Sequence, residues 1–362
     1  MSGPQSISRR QFEILVLLFS LGDAVLVLPT VLAQEARQDA WIASGISFVI
    51  GLGFVFLYYA VAKRFPGKSL IEACETAFGR WTGTAASLLY LSFLFLLSSI
   101  LLRETGDFLT VLVLPETPIE AIHLLFAGVV VWGTKLGLET IARSAEIFFP
   151  WVLLMLSSGV VFIVSELKLE NVHPILEYGI SPVLRGTYAG VAIPFMELSA
   201  FLMIMPFVRN RRSLRKAFLI GAGVGGFALF LVILWCILAL GPDMTARQQF
   251  PTFALARKIN VGNWLQRMEI VLAGTWFITM FFKLAICFAA FCAGTAQLLR
   301  MPDLRSPAIP LGFLLLATAL IISPNIVYFT DAAVRYWPPF AFVCGIALPA
   351  SLLVAGALRP RS

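Results

Sequence analysis

The sequence predicts an all-α polytopic membrane protein with ten transmembrane helices. Three observations predict it. Of 362 residues, 59% are hydrophobic and only 13% charged, whereas a soluble domain carries about 25% charged residues. The apolar residues recur in runs of about 18–25, long enough to cross a hydrocarbon core ~30 Å thick as α-helix. The runs are continuous, whereas the strands of a transmembrane β-barrel would alternate in short segments.

In chain order, the spans are expected at 12–33, 40–62, 82–102, 119–137, 146–165, 186–208, 217–240, 267–297, 308–323 and 338–358. Arg9 and Arg10 precede the first run, as in a signal peptide, but the run is too long and lacks a small-residue cleavage site. It therefore reads as the first spanning helix. The third and eighth runs extend past the minimum length. The fourth carries His123 and Lys135, and the ninth is short. The longest polar connection, about 241–266, has room for a short surface helix but not for a core. Residues 1–362 are thus read as a single transmembrane domain.

The net charge of +7 does not point to nucleic acid, because most charges sit in short loops between apolar runs. With the N-terminus in the cytoplasm, the inside segments carry 17 of the 27 Lys and Arg residues and the outside segments nine, with Lys283 inside a span. An excess of basic residues marks cytoplasmic loops, so both termini are expected there. The basic loop RNRRSLRK, 209–216, fits a cytoplasmic turn between spans six and seven. Cys74, Cys236, Cys287, Cys292 and Cys344 form no CxxC pair, and four lie in or beside apolar runs as packing thiols. His123 and His173 form no HExxH motif. No nucleophile–base or metal pattern stands out, so neither an enzyme nor a cofactor is expected.

The first run is broken. Residues 19–34 read FSLGDAVLVLPTVLAQ, with Gly22, Asp23 and Pro29 inside the apolar stretch. A buried Asp costs roughly 2.5–3.5 kcal/mol on insertion scales, and Pro29 lacks an amide hydrogen. Ten spans invite a test for two halves of five, with repeat one at about 12–165 and repeat two at about 186–358. Span six echoes span one: GTYAGVAIPFMELSAFLMIMPFV, 186–208, carries Gly190, Pro194 and Glu197. Matched interruptions in two halves point to a transporter-type binding site. An unwound helix frees backbone groups, which is tolerated where they are buried in protein or line a cavity. Half-helix N-termini suit a carboxylate and half-helix C-termini an ammonium. An amino acid presents both. Gly22, Asp23, Ala24, Gly190, Pro194 and Glu197 are the candidate ligand residues.

Several stretches carry a family resemblance: ISRRQ at 7–11, the Leu28–Pro29 pair followed by QDAWIA at 38–43, LPETP at 114–118, GLETIARSAEIFFP at 137–150 and PFMELSAFLMIMPFV at 194–208. Across its first six spans the chain resembles the B-subunit permease family of bacterial spore germinant receptors, within the amino acid–polyamine–organocation superfamily. The last four spans resemble it mainly in hydropathy and helix count. The resemblance implies an inverted five-plus-five repeat, LeuT-like, with broken helices one and six and a nutrient site between spans one, three, six and eight. It implies an A-type membrane subunit and a C-type lipoprotein as partners in the spore inner membrane. The implied function is sensing of a small amino-acid-like germinant. A proton-coupled amino acid permease is the alternative on the same fold. Asp23 departs from the small or apolar residues associated with the family's first break.

Glu197 is placed to accept a ligand ammonium or to hold a proton, unless it is a structural acid bonded to neighbouring helices. Lys283 lies in WFITMFFKLAICF, in the middle of span eight. It is a candidate charge partner for Asp23, either as a fixed replacement for the ion of sodium-coupled relatives or as plain neutralisation. Arg103, Glu104 and Asp107, in RETGD, read as an outer-surface charge cluster. Glu139 and Arg143 are four apart and suited to pairing on one helix face; with Glu146 they read as an inner lock or a subunit contact. Tyr90, Trp276 and Phe277 are candidate pocket walls.

Overall fold

The computed structural model describes residues 6–163, 166–258, 268–323 and 334–358. Span one is two helices, α1 (Arg9–Leu21) and α2 (Ala24–Ala36). Ser8 and Gln11 close a capping box that starts α1, satisfying two amides that would otherwise lack partners. The break falls at Gly22–Asp23. Pro29 lies inside α2, not at the break. Helix α3 (Ala40–Arg64) runs back and is followed by a short helix, α4 (Leu70–Phe78). The capping box of Ser69 and Glu72 starts α4, which buries Leu70, Ile71, Ala73, Cys74 and Ala77.

Helix α5 spans Arg80–Phe108, α6 Ile119–Leu136 and α7 Leu138–Ile163. The fifth span, α7, thus begins eight residues before the expected apolar core, because the amphipathic segment after Gly137 is already helical. The expected end of that span at 165 lies outside the described residues. Span six opens with α8 (Ile180–Val191). It continues as a π-helical turn over Ala192–Met196 and a 3₁₀ turn over Glu197–Ala200, then the four-residue α9 (Phe201–Ile204). Its interruption is thus a change of helical winding instead of an extended stretch. Tyr58 of α3 donates to the carbonyls of Phe195 and Met196, at 3.2 and 3.1 Å. Carbonyls displaced from regular winding are thereby satisfied in a dry interior.

Helix α10 (Leu214–Leu240) precedes two short helices, α11 (Pro242–Arg247) and α12 (Pro251–Lys258). These occupy the connection expected to hold at most a surface helix. Thr252, Phe253, Leu255 and Ala256 of α12 are buried instead. Thr252 donates to the Val25 carbonyl at 2.5 Å, and Thr30 donates to the Gln248 carbonyl at 2.9 Å. The connection therefore seals against the second half of span one. Helix α13 (Met268–Leu298), helix α14 (Ala308–Ile321) and a last helical stretch, Trp337–Leu358, complete the described bundle. The expected start of span eight at 267 and residues 324–333 are outside the described residues.

Among the described residues, eight helical stretches are long and apolar enough to cross a membrane, and α14 is a shorter apolar helix. The first of the eight, 24–64, joins the second half of span one to span two. Apolar side chains such as Trp81, Leu125, Trp132 and Phe313 are exposed on the outside of the bundle, as a lipid-facing surface requires. All five cysteines are buried and free.

Candidate functional site

The breaks in spans one and six meet at Lys283 of α13. Its ammonium donates to Asp23 Oδ1 and to Glu197 Oε2. Lys283 is fully buried, Glu197 is 1% exposed and Asp23 4%. Trp337 Nε1 donates to the other Glu197 oxygen, Oε1, at 2.7 Å. The ammonium also lies 5.1 Å from the Phe19 ring centroid, within cation–π range. A buried cation is thus held by two carboxylates and an aromatic face. Such a charge is tolerated in a low dielectric only when paired this closely.

The local sequence allows this approach. A Cβ on Gly22 would collide with the Lys283 side chain, so only glycine lets the lysine stem pass the break. Gly190 serves a different contact: a Cβ there would stand 2.5 Å from Ser47 Oγ of α3. Ser47 donates to the Thr187 carbonyl at 3.1 Å and holds α8 against α3. Asp23 precedes the first residue of α2, whose positive dipole end faces the break beside Ala24. Pro194 lies in the π turn, one turn before Glu197. The structure therefore gathers Gly22, Asp23, Glu197 and Lys283 around one ammonium. It puts Ala24 beside them and leaves Gly190 in helix packing.

The remaining expectations divide. Arg103, Glu104 and Asp107 are not on the surface. They are 8%, 7% and 6% exposed, because α5 continues inside the bundle to Phe108. Arg103 Nε pairs with Asp107 at 3.0 Å, but Glu104 Oε2 makes no hydrogen bond among the described residues. Glu139 and Arg143 do pair, at 2.6 Å. Glu146 accepts from Gln11 at 2.9 Å, tying α7 to the start of α1. Tyr90 and Trp276 are buried, whereas Phe277 is 38% exposed. Phe277 lines an apolar cavity of about 580 Å³ with Phe126, Phe148 and Phe281, whose lining does not include Asp23, Glu197 or Lys283. Trp337 was not foreseen. Its motif YWPPF gives no signal of which carboxylate the indole will reach. No cluster of His, Cys, Asp and Glu suited to a metal ion occurs among the described residues.

A sequence profile described as "Spore germination protein" matches residues 6–327. The chain belongs to the spore germination protein family. Among its relatives, spore germination protein KB of Bacillus subtilis (strain 168) is 29% identical over 322 residues, covering 88% of this chain and 86% of that protein. Spore germination protein YndE of the same organism is 24% identical over 362 residues and 99% of each chain. The fold of this germination protein is also that of solved transporters. MhsT, crystallised in complex with L-phenylalanine, superposes with a TM-score of 0.73 at 15% identity, covering 99% of this chain and 94% of that one. MHP1, a nucleobase-cation-symport-1 family transporter in a closed conformation, gives 0.65 at 13% identity, covering 98% and 91%. The LeuT-like fold that the family resemblance implies is thereby shown for this chain.

Proposed function

We propose that this chain is the nutrient-sensing subunit of a spore germination receptor and binds a small amino-acid-like germinant beside the Asp23–Lys283–Glu197 triad. The observation that carries this reading is the meeting of both interrupted helices at one buried, charged centre. In this reading Gly22, Asp23 and Ala24 present the start of α2 to the ligand carboxylate. Pro194 and Glu197 present the rewound part of span six to its ammonium, with Gly190 fixing that helix from behind. Lys283 sets the charge of the floor. It takes the place that an inorganic cation would fill in an ion-coupled protein of the same fold.

Family membership supports a receptor role, in which partners are an A-type membrane subunit and a C-type lipoprotein in the spore inner membrane. The excess of basic residues in alternate loops supports cytoplasmic termini. Germination of spores carrying only this receptor tests the reading. A panel of amino acids should trigger germination, and Glu197→Gln should abolish the response while the subunit still accumulates. Robust uptake of an amino acid by proteoliposomes containing this chain alone would instead favour the permease.

A further inference from the structure

A cavity of about 520 Å³ lies between α4, the start of α5 and the end of α13, within the ~300–1,000 Å³ of small-molecule sites. Its walls include Glu72 and Glu75 of α4, Arg80, Thr84 and Ser87 of α5, and Arg300 just after α13. None of its lining residues belongs to the Asp23–Lys283–Glu197 centre. Two contacts join α4 to the end of α13 across it. Ser69 Oγ donates to Gln297 Oε1 at 2.7 Å, and Glu75 pairs with Arg300 at 3.2 Å. The second is an exposed pair, of a kind that contributes little by itself. A Cβ on Gly83 would stand 2.7 Å from the Cys74 carbonyl, so glycine lets α5 close on α4. The Arg80 guanidinium has no ion pair or hydrogen bond among the described residues. The walls thus carry two cations and two anions, of which only one pair is joined.

The depth of the cavity follows from the spans. One membrane-crossing stretch begins at Arg80 and another ends at Leu298, so the cavity sits where the chain leaves hydrocarbon. Trp81 and Leu299, next in sequence to Arg80 and Arg300, are 86% and 65% exposed. Indoles concentrate at that boundary, at the level of the lipid headgroups. Arg300 carries a second, independent signal. It closes α13 in the left-handed region, with φ 55°. Its amide donates to the Gln297 carbonyl at 3.1 Å, and the Met301 amide donates to the Ala296 carbonyl at 2.8 Å. This is the helix end that ordinarily takes glycine at the left-handed position. A side chain there strains the backbone, and here it brings a guanidinium to the cavity wall.

We propose that this cavity binds the headgroup of a membrane aminophospholipid, a phosphodiester joined to a primary ammonium. Arg80 and Arg300 take the phosphate, whose oxygens suit a guanidinium fork. Glu72 and Glu75 each keep one carboxylate oxygen free of hydrogen bonds among the described residues, and these take the ammonium. The acyl chains leave past Trp81 and Leu299 into the bilayer. A headgroup with negative charge alone meets two unanswered carboxylates, which selects against it. A quaternary ammonium offers those carboxylates no N–H donor.

Native mass spectrometry of the full-length protein in detergent micelles tests it. The probes are phosphatidylethanolamine, phosphatidylcholine and phosphatidylglycerol with matched acyl chains, and soluble glycerophosphoethanolamine as competitor. Phosphatidylethanolamine should be retained about tenfold more tightly than either other lipid, the effect of losing a charge-assisted hydrogen bond. Arg80→Gln should weaken it by about tenfold or more. Arg300→Gly should weaken it similarly, while the melting temperature of the lipid-free protein stays equal or rises, because glycine relieves the left-handed backbone. The soluble competitor should not displace the lipid at matched concentration. Equal retention of the three lipids overturns the proposal, as does a preference for phosphatidylglycerol. Wild-type retention by Arg80→Gln and Arg300→Gly also overturns it. Displacement by glycerophosphoethanolamine at matched concentration would make the ligand a free phosphodiester and overturn the membrane source. A lower melting temperature of Arg300→Gly with equal loss of all three lipids would make Arg300 a structural residue and overturn its role in the site.

Discussion

At the scale of single residues, Lys283 pairs with two buried acids and is itself held by both. Lys283→Met keeps much of the stem but leaves Asp23 and Glu197 without their cation. Losing one partner of a buried ion pair costs about 3–5 kcal/mol, so the variant should melt well below the wild type in nanodiscs. Asp23→Asn on the Lys283→Met background should recover part of that loss, because it removes one of the stranded charges. A single variant as stable as the wild type would show that the triad is not formed. Gly22→Val should be equally damaging for a different reason. Its side chain would occupy the path of the Lys283 stem, so stability should fall and should not recover when Asp23 is neutralised.

At the scale of elements, the interrupted helices depend on neighbours that complete their backbone bonding. Tyr58→Phe removes the hydroxyl that serves the Phe195 and Met196 carbonyls. Stranding buried acceptors costs about 1–3 kcal/mol, so melting should shift down and amide exchange near 195–200 should accelerate. Exchange unchanged in that segment would mean that the bonds do not support span six. These elements also mark what was legible in the sequence. Long apolar runs fix where chain crosses lipid, and Gly, Pro and acids inside them point, to within a few residues, at the interruptions at 22–23 and 192–200. Hydropathy averages over a window and carries no direction, so the same reading placed RETGD outside although α5 turns that face inward. It also passed over α4, whose Ser69–Glu72 capping box was visible, and α12, whose burial depends on contact with Val25. The partnership of Trp337 with Glu197, 140 residues apart, follows only from tertiary packing.

At the scale of the whole molecule, the bundle must sit in the bilayer with one set of loops inside, and the basic residues choose which. Arg212 lies in the exposed turn between spans six and seven, and Glu170 in the exposed connection between spans five and six. One crossing, Ile180–Phe207, separates them, so the two positions face opposite compartments. Basic residues are retained on the cytoplasmic side, so Arg212 is expected there. The five native cysteines are all buried, and an impermeant maleimide should leave the wild-type chain unlabelled. Against that background, Glu170→Cys should label from the outer face of intact right-side-out vesicles. Arg212→Cys should label only after the vesicles are inverted or opened. Both substitutions exchange an exposed charged residue for a small one, so stability should change by less than about 0.5 kcal/mol. The opposite labelling pattern would reverse the orientation and place the sealing connection of α11 and α12, which is hydrogen-bonded to Val25 and Thr30 of α2, on the cytoplasmic side. The labelled side therefore fixes which compartment the Thr252–Val25 contact of that connection faces.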